Sequence, residues 1–150
     1  MSVGTLCNRE VAVTGANTSI AEAARLMRRR HVGDLVILSE DEERRPVGLI
    51  TDRDLVMEVL AEGVNPESIT VADVMTRTLQ TIDEDAEFWD ALHHMRHHGV
   101  RRLPVVNAAG GLEGILTLDD ALELVSEALT DLVSLISRQG EMEREARPTR

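Results

Sequence analysis

The sequence predicts an α/β fold in which one β-α-β-β-α unit is used twice, followed by an extended C-terminal helix. Three observations predict it: the chain matches itself at a displacement of 68 residues, each copy carries apolar residues at three-and-four spacing followed by two β-rich runs, and an apolar helical rhythm continues past the second copy. At that displacement Val3 falls on Val71, Arg9 on Arg77, Ala23 on Ala91, Met27 on Met95, Val32 on Val100 and Leu35 on Leu103, with no gap between residues 3 and 38. Two residues then drop out. At a displacement of 66, Gly48-Leu49-Ile50-Thr51-Asp52-Arg53-Asp54 falls on Gly114-Ile115-Leu116-Thr117-Leu118-Asp119-Asp120, so both read Gly, two aliphatics, Thr, two variable positions, Asp.

Each copy opens with a short extended piece, Glu10 to Thr14 or Leu79 to Ile82. A helix follows, its apolar positions Ile20, Ala23, Ala24 and Met27, or Phe88, Ala91, Leu92 and Met95, forming a stripe that needs a sheet to cover. The sheet is supplied by Leu35–Leu38 with Val47–Ile50, and by Leu103–Val106 with Leu112–Leu116, each pair joined by a polar turn. A second helix starts near Asp52 or Leu118. Gly63 and Asn65-Pro66 end the first copy, and Thr70 with Asp73 forms a capping box that opens the second. Beyond it, Leu118, Leu122, Val125, Leu129, Leu132 and Ile136 follow a four-three-four rhythm to about Arg138, the spacing of a helix-pairing seam. The organisation read from the chain is residues 1–66 for the first repeat, 67–126 for the second, 127–139 for a helical extension and 140–150 for a disordered tail.

Composition removes several function classes. Phe88 and Trp89 stand alone among Phe, Trp and Tyr, so the core is aliphatic and no base-stacking platform exists. A net charge of -11 opposes nucleic acid and anionic lipid, so neither is an expected partner. One cysteine, Cys7, allows no internal disulfide and suits a reducing cytoplasm, and no leader or membrane-spanning run is seen. There is no phosphate-cradling loop and no nucleophile-base constellation, so an enzyme is not expected.

Val71-Ala72-Asp73-Val74-Met75, the helices carrying Met27 and Met95, Val100-Arg101-Arg102-Leu103-Pro104-Val105-Val106 and the two Gly-aliphatic-aliphatic-Thr-x-x-Asp segments resemble a tandem pair of cystathionine β-synthase (CBS) motifs, a Bateman module. The resemblance runs to about residue 126 and departs in the first copy, which has Val3-Gly4-Thr5-Leu6-Cys7 as its opening and Val36 where the second has Pro104. It implies two repeats packed sheet to sheet about a pseudo-two-fold axis, with two clefts that take adenosine-containing ligands. Asp54 and Asp120 would accept the ribose hydroxyls, with Thr51 and Thr117 as their hydroxyl partners. The Gly of each segment would leave room for the ligand. The resemblance further implies that Thr51 and Asp54 share a cleft with Gln80, Val100, Arg101 and Arg102, whereas Thr117 and Asp120 share one with Ala12 and Val32. The first-copy counterparts of the arginine pair are Gly33 and Asp34, so the two clefts are expected to bind phosphates unequally.

Other signals are set aside. His93, His94, His97 and His98 share one helix at i, i+4 spacing but are read as solvated, and no metal or other cofactor is assigned. Arg25, Arg28, Arg29 and Arg30 are read as a face balanced by the acidic loop Glu40–Glu43, and Trp89 as covering a seam between copies or subunits. The expected function is a stand-alone regulatory module that binds AMP or ATP, forms a homodimer through the module and the C-terminal helix, and signals in trans to an unidentified protein. The alternative is a structural dimerisation module with unliganded clefts. The residues do not choose among AMP, ADP, ATP, S-adenosylmethionine and NADH.

Overall fold

The structure, a computed structural model, describes residues 1–147; residues 148–150 of the expected tail lie outside the described residues. Met1–Leu116 forms one compact unit and the residues from Thr117 onward a second.

In the first unit a short helix α1 (Val3–Leu6) precedes strand β1 (Val13–Thr14), helix α2 (Ile20–Arg30), strands β2 (Asp34–Leu38) and β3 (Pro46–Thr51), and helix α3 (Asp52–Asp54). Helix α3 runs on as a π-helical stretch, Leu55–Leu60, in which Ala61 N–H donates to Val56 O at 2.9 Å. The second copy repeats the order with α4 (Val71–Val74), β4 (Ile82–Asp83), α5 (Phe88–His98), β5 (Arg102–Val106) and β6 (Leu112–Thr117). The fold is therefore mixed α/β, with one three-stranded sheet per repeat in the orders β1-β2-β3 and β4-β5-β6. Register repeats as well: Thr14 pairs in parallel with Ile37, and Ile82, 68 residues later, with Val105. The opening strands are shorter than expected, two residues each, because only the ends of Glu10–Thr14 and Leu79–Ile82 reach a strand partner.

Local chemistry explains where the helices stop and start. Ser19 Oγ accepts Glu22 N–H at 3.2 Å to cap α2, and His31 (φ 54°) and Gly99 (φ 65°) end α2 and α5 in the left-handed conformation. Asp73 accepts from the Thr70 N–H at 2.8 Å, the capping interaction expected at the second repeat's opening.

Two aliphatic clusters form the core, one from Ile20, Ala23, Met27, Leu35, Ile37, Ile50 and Val59, the other from Ala91, Met95, Leu103, Val105 and Leu116. Each is completed by the opposite repeat. Val71 of α4 belongs to the first cluster and Val3 of α1 to the second, both wholly buried. Backbone pairing holds the exchange: Val3 N–H donates to Ala86 O and Gly4 N–H to Glu84 O, while Val71 N–H donates to Thr18 O and Ala72 N–H to Ala16 O. The chain then crosses the last strand of the other repeat, with Asn8 bridging Ile115 and Thr76 bridging Leu49. Burying both openings against the other half ties the repeats together, which one small repeat could not achieve alone.

This exchange corrects the reading of Gly48 and Gly114 as ligand clearances. A Cβ at Gly114 would lie 2.5 Å from Cys7 Sγ and 2.8 Å from Asn8 O; one at Gly48 would lie 2.6 Å from Met75 Sδ and 3.1 Å from Thr76 O. Both glycines admit the other repeat's opening segment. The arginine-rich face of α2 is balanced by different partners from those expected. Arg25 pairs with Glu22 and Glu67, and Arg29 with Glu22, while Glu43 of the acidic loop pairs with Arg45. Phe88 is core as expected, but Trp89 is 62% exposed, so no seam among the described residues covers it. Of the α5 histidines read as solvated, His93, His97 and His98 are exposed, but His94 is half-buried.

In the second unit, helix α6 (Leu118–Ala146) runs for 29 residues. It passes Gln139 and continues through seven residues read as disordered tail. Glu141, Glu143, Arg144 and Glu145 are adequate helix formers, and Gln139 Nε2 donates to Glu143 Oε1 across one turn at 3.3 Å. Leu122, Leu129, Leu132, Val133, Leu135, Ile136 and Met142 are all exposed. Among the described residues no helix is long and apolar enough to cross a membrane.

Candidate functional site

A cleft of about 270 Å³ opens in the first unit where the two repeats meet. From the first repeat, β3 contributes Leu49 and Thr51, which alternate onto one face, and α3 contributes Arg53. From the second, the extended segment before β4 contributes Thr76, Thr78, Leu79 and Gln80, and the turn into β5 contributes Val100, Arg101 and Arg102. Thr51, Gln80, Val100, Arg101 and Arg102 thus line one cavity, with aliphatic walls at Leu49, Leu79 and Val100 and hydroxyl or amide groups at Thr51, Thr76, Thr78 and Gln80. Leu49, Arg53, Thr76, Thr78 and Leu79 were missed. Alternation along β3 back from Thr51 reaches Leu49, so strand period is a signal that could have found it; Thr76, Thr78 and Leu79 lie outside the strands, where that period gives none.

Asp54 does not line the cleft. Its Oδ2 accepts the Thr51 N–H at 2.8 Å, while Thr51 Oγ1 accepts the Asp54 N–H at 3.2 Å. This reciprocal capping box starts α3 and commits one carboxylate oxygen to the backbone. Thr117 and Asp120 do the same at the start of α6, with Thr117 N–H to Asp120 Oδ2 at 3.0 Å and Asp120 N–H to Thr117 Oγ1 at 3.2 Å. The Thr-x-x-Asp recurrence has a structural role that the reading by resemblance overlooked: it satisfies orphan N–H groups at two helix starts. Ala12 and Val32 are half-buried and pack against the first core cluster.

Arg102 is not a free cation. Its Nε forms an ion pair with Asp34, which was expected to stand apart from the arginines. The two residues are 68 positions apart, each at the first position of its repeat's middle strand, so the pseudo-two-fold relation of the repeats sets equivalent positions opposite each other. Asp34 is also registered opposite Thr51 in the first sheet. Burial pushes the Asp34 carboxyl above the usual carboxylate range; Arg102 opposes that rise, and the neighbouring Asp52 carboxylate adds to it. Arg101, by contrast, is exposed at the cleft. The arrangement offers a shallow apolar slot, several neutral hydrogen-bonding groups, two unburied guanidinium groups at Arg53 and Arg101, and a third held by a carboxylate.

A CBS domain family model matches residues 3–61 and 71–127. The chain belongs to the CBS domain family. Its CBS pair is 41% identical over 125 residues to an uncharacterized protein of Methanopyrus kandleri, covering 83% of this chain and 62% of that protein's length. It is 33% identical over 132 residues to hypoxic response protein 1 of Mycobacterium tuberculosis, covering 87% of this chain and 90% of the relative. A crystal structure of Hypoxic Response Protein I with two coordinated zinc ions is similar at a TM-score of 0.71 and 31% identity, covering 82% of this chain and 98% of that one. A CBS domain pair in complex with 5′-methylthioadenosine and S-adenosyl-L-methionine is similar at a TM-score of 0.74 and 26% identity, covering 85% and 98% of the two chains.

Proposed function

We propose that this CBS pair is a regulatory module that binds an adenosine-containing ligand, AMP or ATP first among them, in the cleft between Thr51 and Arg101. The observation that carries the reading is the convergence on one cleft of a hydroxyl from the first repeat with an amide, an aliphatic wall and a guanidinium from the second. At about 270 Å³ the cleft is close to the lower end of the roughly 300–1,000 Å³ of small-molecule sites, a size that suits a nucleoside with its phosphates directed outward to Arg53 and Arg101. The related CBS pair in complex with 5′-methylthioadenosine and S-adenosyl-L-methionine supports the class of ligand. A ligand held by both repeats favours the packing that binds it best, and a separate protein that distinguishes the packings would read the signal.

Thermal denaturation with AMP, ATP and S-adenosylmethionine tests the reading. A ligand present at about 100 times its Kd stabilises the fold by about 2.7 kcal/mol, a rise in Tm of several degrees. Calorimetry is expected to find one tight adenylate site, because the positions equivalent to Arg53 and Arg101 carry Asp119 and Gly33. No shift with any of these compounds would leave the dimerisation module as the better reading.

The exposed apolar face of α6 favours self-association in either case. Leu129, Leu132 and Ile136 continue the helix-pairing rhythm with 58%, 58% and 72% of their surface exposed. Sedimentation is expected to show a dimer or larger species for the full chain, and a smaller species for Leu132→Asp with Ile136→Asp. A monomeric unsubstituted protein would contradict this.

A further inference from the structure

Helix α6 is directional in both its seam and its charge. Counting in sevens from Leu122 gives Leu129 and Ile136 and then Glu143, and counting from Val125 gives Leu132 and then Gln139. The apolar surface continues past them through Leu135 and Met142, both exposed, each one position before a member of the first series. Ala128 holds the same place in the first half of the helix. The charged residues of that half, Asp119, Asp120, Glu123, Glu127 and Asp131, are all acidic, whereas Arg138, Arg144 and the C-cap Arg147 all lie in the second half.

These asymmetries decide what fits the exposed face. A parallel pair in register stacks each seam position on its own copy. It would set Glu143 against Glu143 and Gln139 against Gln139, and one wholly acidic half beside another. An antiparallel pair instead sets Leu129 against Leu132 and Val125 against Ile136 of the second copy, and lays the small Ala128 beside the larger Leu135. Asp119 then comes beside Arg147, and each acidic half lies along the half that holds the arginines. Packed helix axes are about 8–10 Å apart, close to the Debye length of about 8 Å at physiological salt, so the sign of the facing half counts. Turned end for end, α6 is its own complement in size and charge.

We propose that two copies of this chain dimerise through α6 with the helices antiparallel, Leu129 of each against Leu132 of the other. This rests on the self-association of the same face and adds its partner and its direction.

Thiol cross-linking of the full chain tests the direction. In a Cys7→Ser background, Leu122→Cys and Met142→Cys place single thiols at exposed positions about 30 Å apart along the helix. With a short bismaleimide, the two variants co-expressed, one enlarged by an affinity tag, are expected to give a mixed cross-linked dimer, and neither variant alone is expected to give one. Ser126→Cys with Gly140→Cys is the second pair. It leaves every apolar side chain in place, Ser126 is exposed, and a Cβ at Gly140 meets nothing within 4 Å, so the fold is expected to persist. The same mixed product is expected. Cross-linking of Leu122→Cys to itself and of Met142→Cys to itself, with no mixed product, would make the pair parallel and overturn the proposal. No cross-link from either pair, in a protein that sediments as a dimer, would place the contact on another surface and overturn it too. A monomer in sedimentation would remove the self-association itself, and the antiparallel pair with it.

Discussion

Replacing Arg101 with alanine is expected to weaken AMP and ATP binding by about ten- to a hundredfold, while adenosine binding changes little. The magnitude follows from one charge-assisted hydrogen bond to phosphate, about 1.5–3 kcal/mol. Arg101 is exposed where it lines the cleft, so its removal leaves no buried group unpaired and the Tm of the unliganded protein is expected to hold. The companion substitution is Asp34→Asn. It removes the negative charge that holds Arg102 and lets that guanidinium turn to an incoming phosphate, so the affinity for ATP relative to adenosine is expected to rise. A carboxyl whose folded pKa is raised binds its proton more tightly folded than unfolded. It therefore subtracts stability at neutral pH, and the loss fades as pH falls through the raised pKa. Asparagine removes that loss together with the ion pair, so Asp34→Asn is expected to stay folded. Calorimetric titration with adenosine, AMP and ATP decides both points. An unchanged AMP affinity in Arg101→Ala would remove Arg101 from the site, and an unchanged ATP-to-adenosine ratio in Asp34→Asn would leave Arg102 a structural residue.

Gly114→Ala is expected to destabilise the fold by about 1–3 kcal/mol, as overpacking does in a close-packed interior, and Gly48→Ala by less. The added methyl at 114 meets the Asn8 carbonyl oxygen at 2.8 Å, and that oxygen is fixed by the reciprocal bridge in which Asn8 and Ile115 exchange hydrogen bonds of 2.9 Å. At 48 the tightest approach is the flexible Met75 thioether, which moves at small cost, and the backbone oxygen of Thr76 is farther, at 3.1 Å. Gly15→Ala, with nothing within 4 Å of its added methyl, is the matched control. Urea denaturation measures all three. Equal stability of Gly114→Ala and the parent would mean that the exchanged opening segments do not hold the repeats together.

Much of the fold was legible because a duplicated sequence reports its own periods. The stripe Ile20, Ala23, Met27 and its copy Phe88, Ala91, Met95 identify two core-facing helices, and their burial follows from spacing alone. Part of the cleft was legible too, since Thr51, Gln80, Val100, Arg101 and Arg102 come together as the resemblance implied. The rest was hidden for two reasons. Thr-x-x-Asp serves as a capping box at both helix starts, and the same letters also suit ribose recognition, so the pattern could not separate the two roles at Asp54. The strands before α2 and α5 shrank to two residues because strand length depends on the partner available, which local propensity does not encode.

The sequence by itself determined the repeat, the β-α-β-β-α order within each copy, the aliphatic core positions and the starts of α3 and α6, because all of these follow from spacing and from contacts within a few residues; the short opening helix α1 was not among the elements read. Only the tertiary structure decided that α1 and α4 change places, that Gly48 and Gly114 admit backbone, and that Asp34 neutralises Arg102. These pairings join residues from 27 positions apart, at Gly48 and Met75, to 107, at Cys7 and Gly114, and which partner each takes depends on how two nearly equivalent halves settle against one another, a choice made by burial of Val3 and Val71 across the pseudo-two-fold relation.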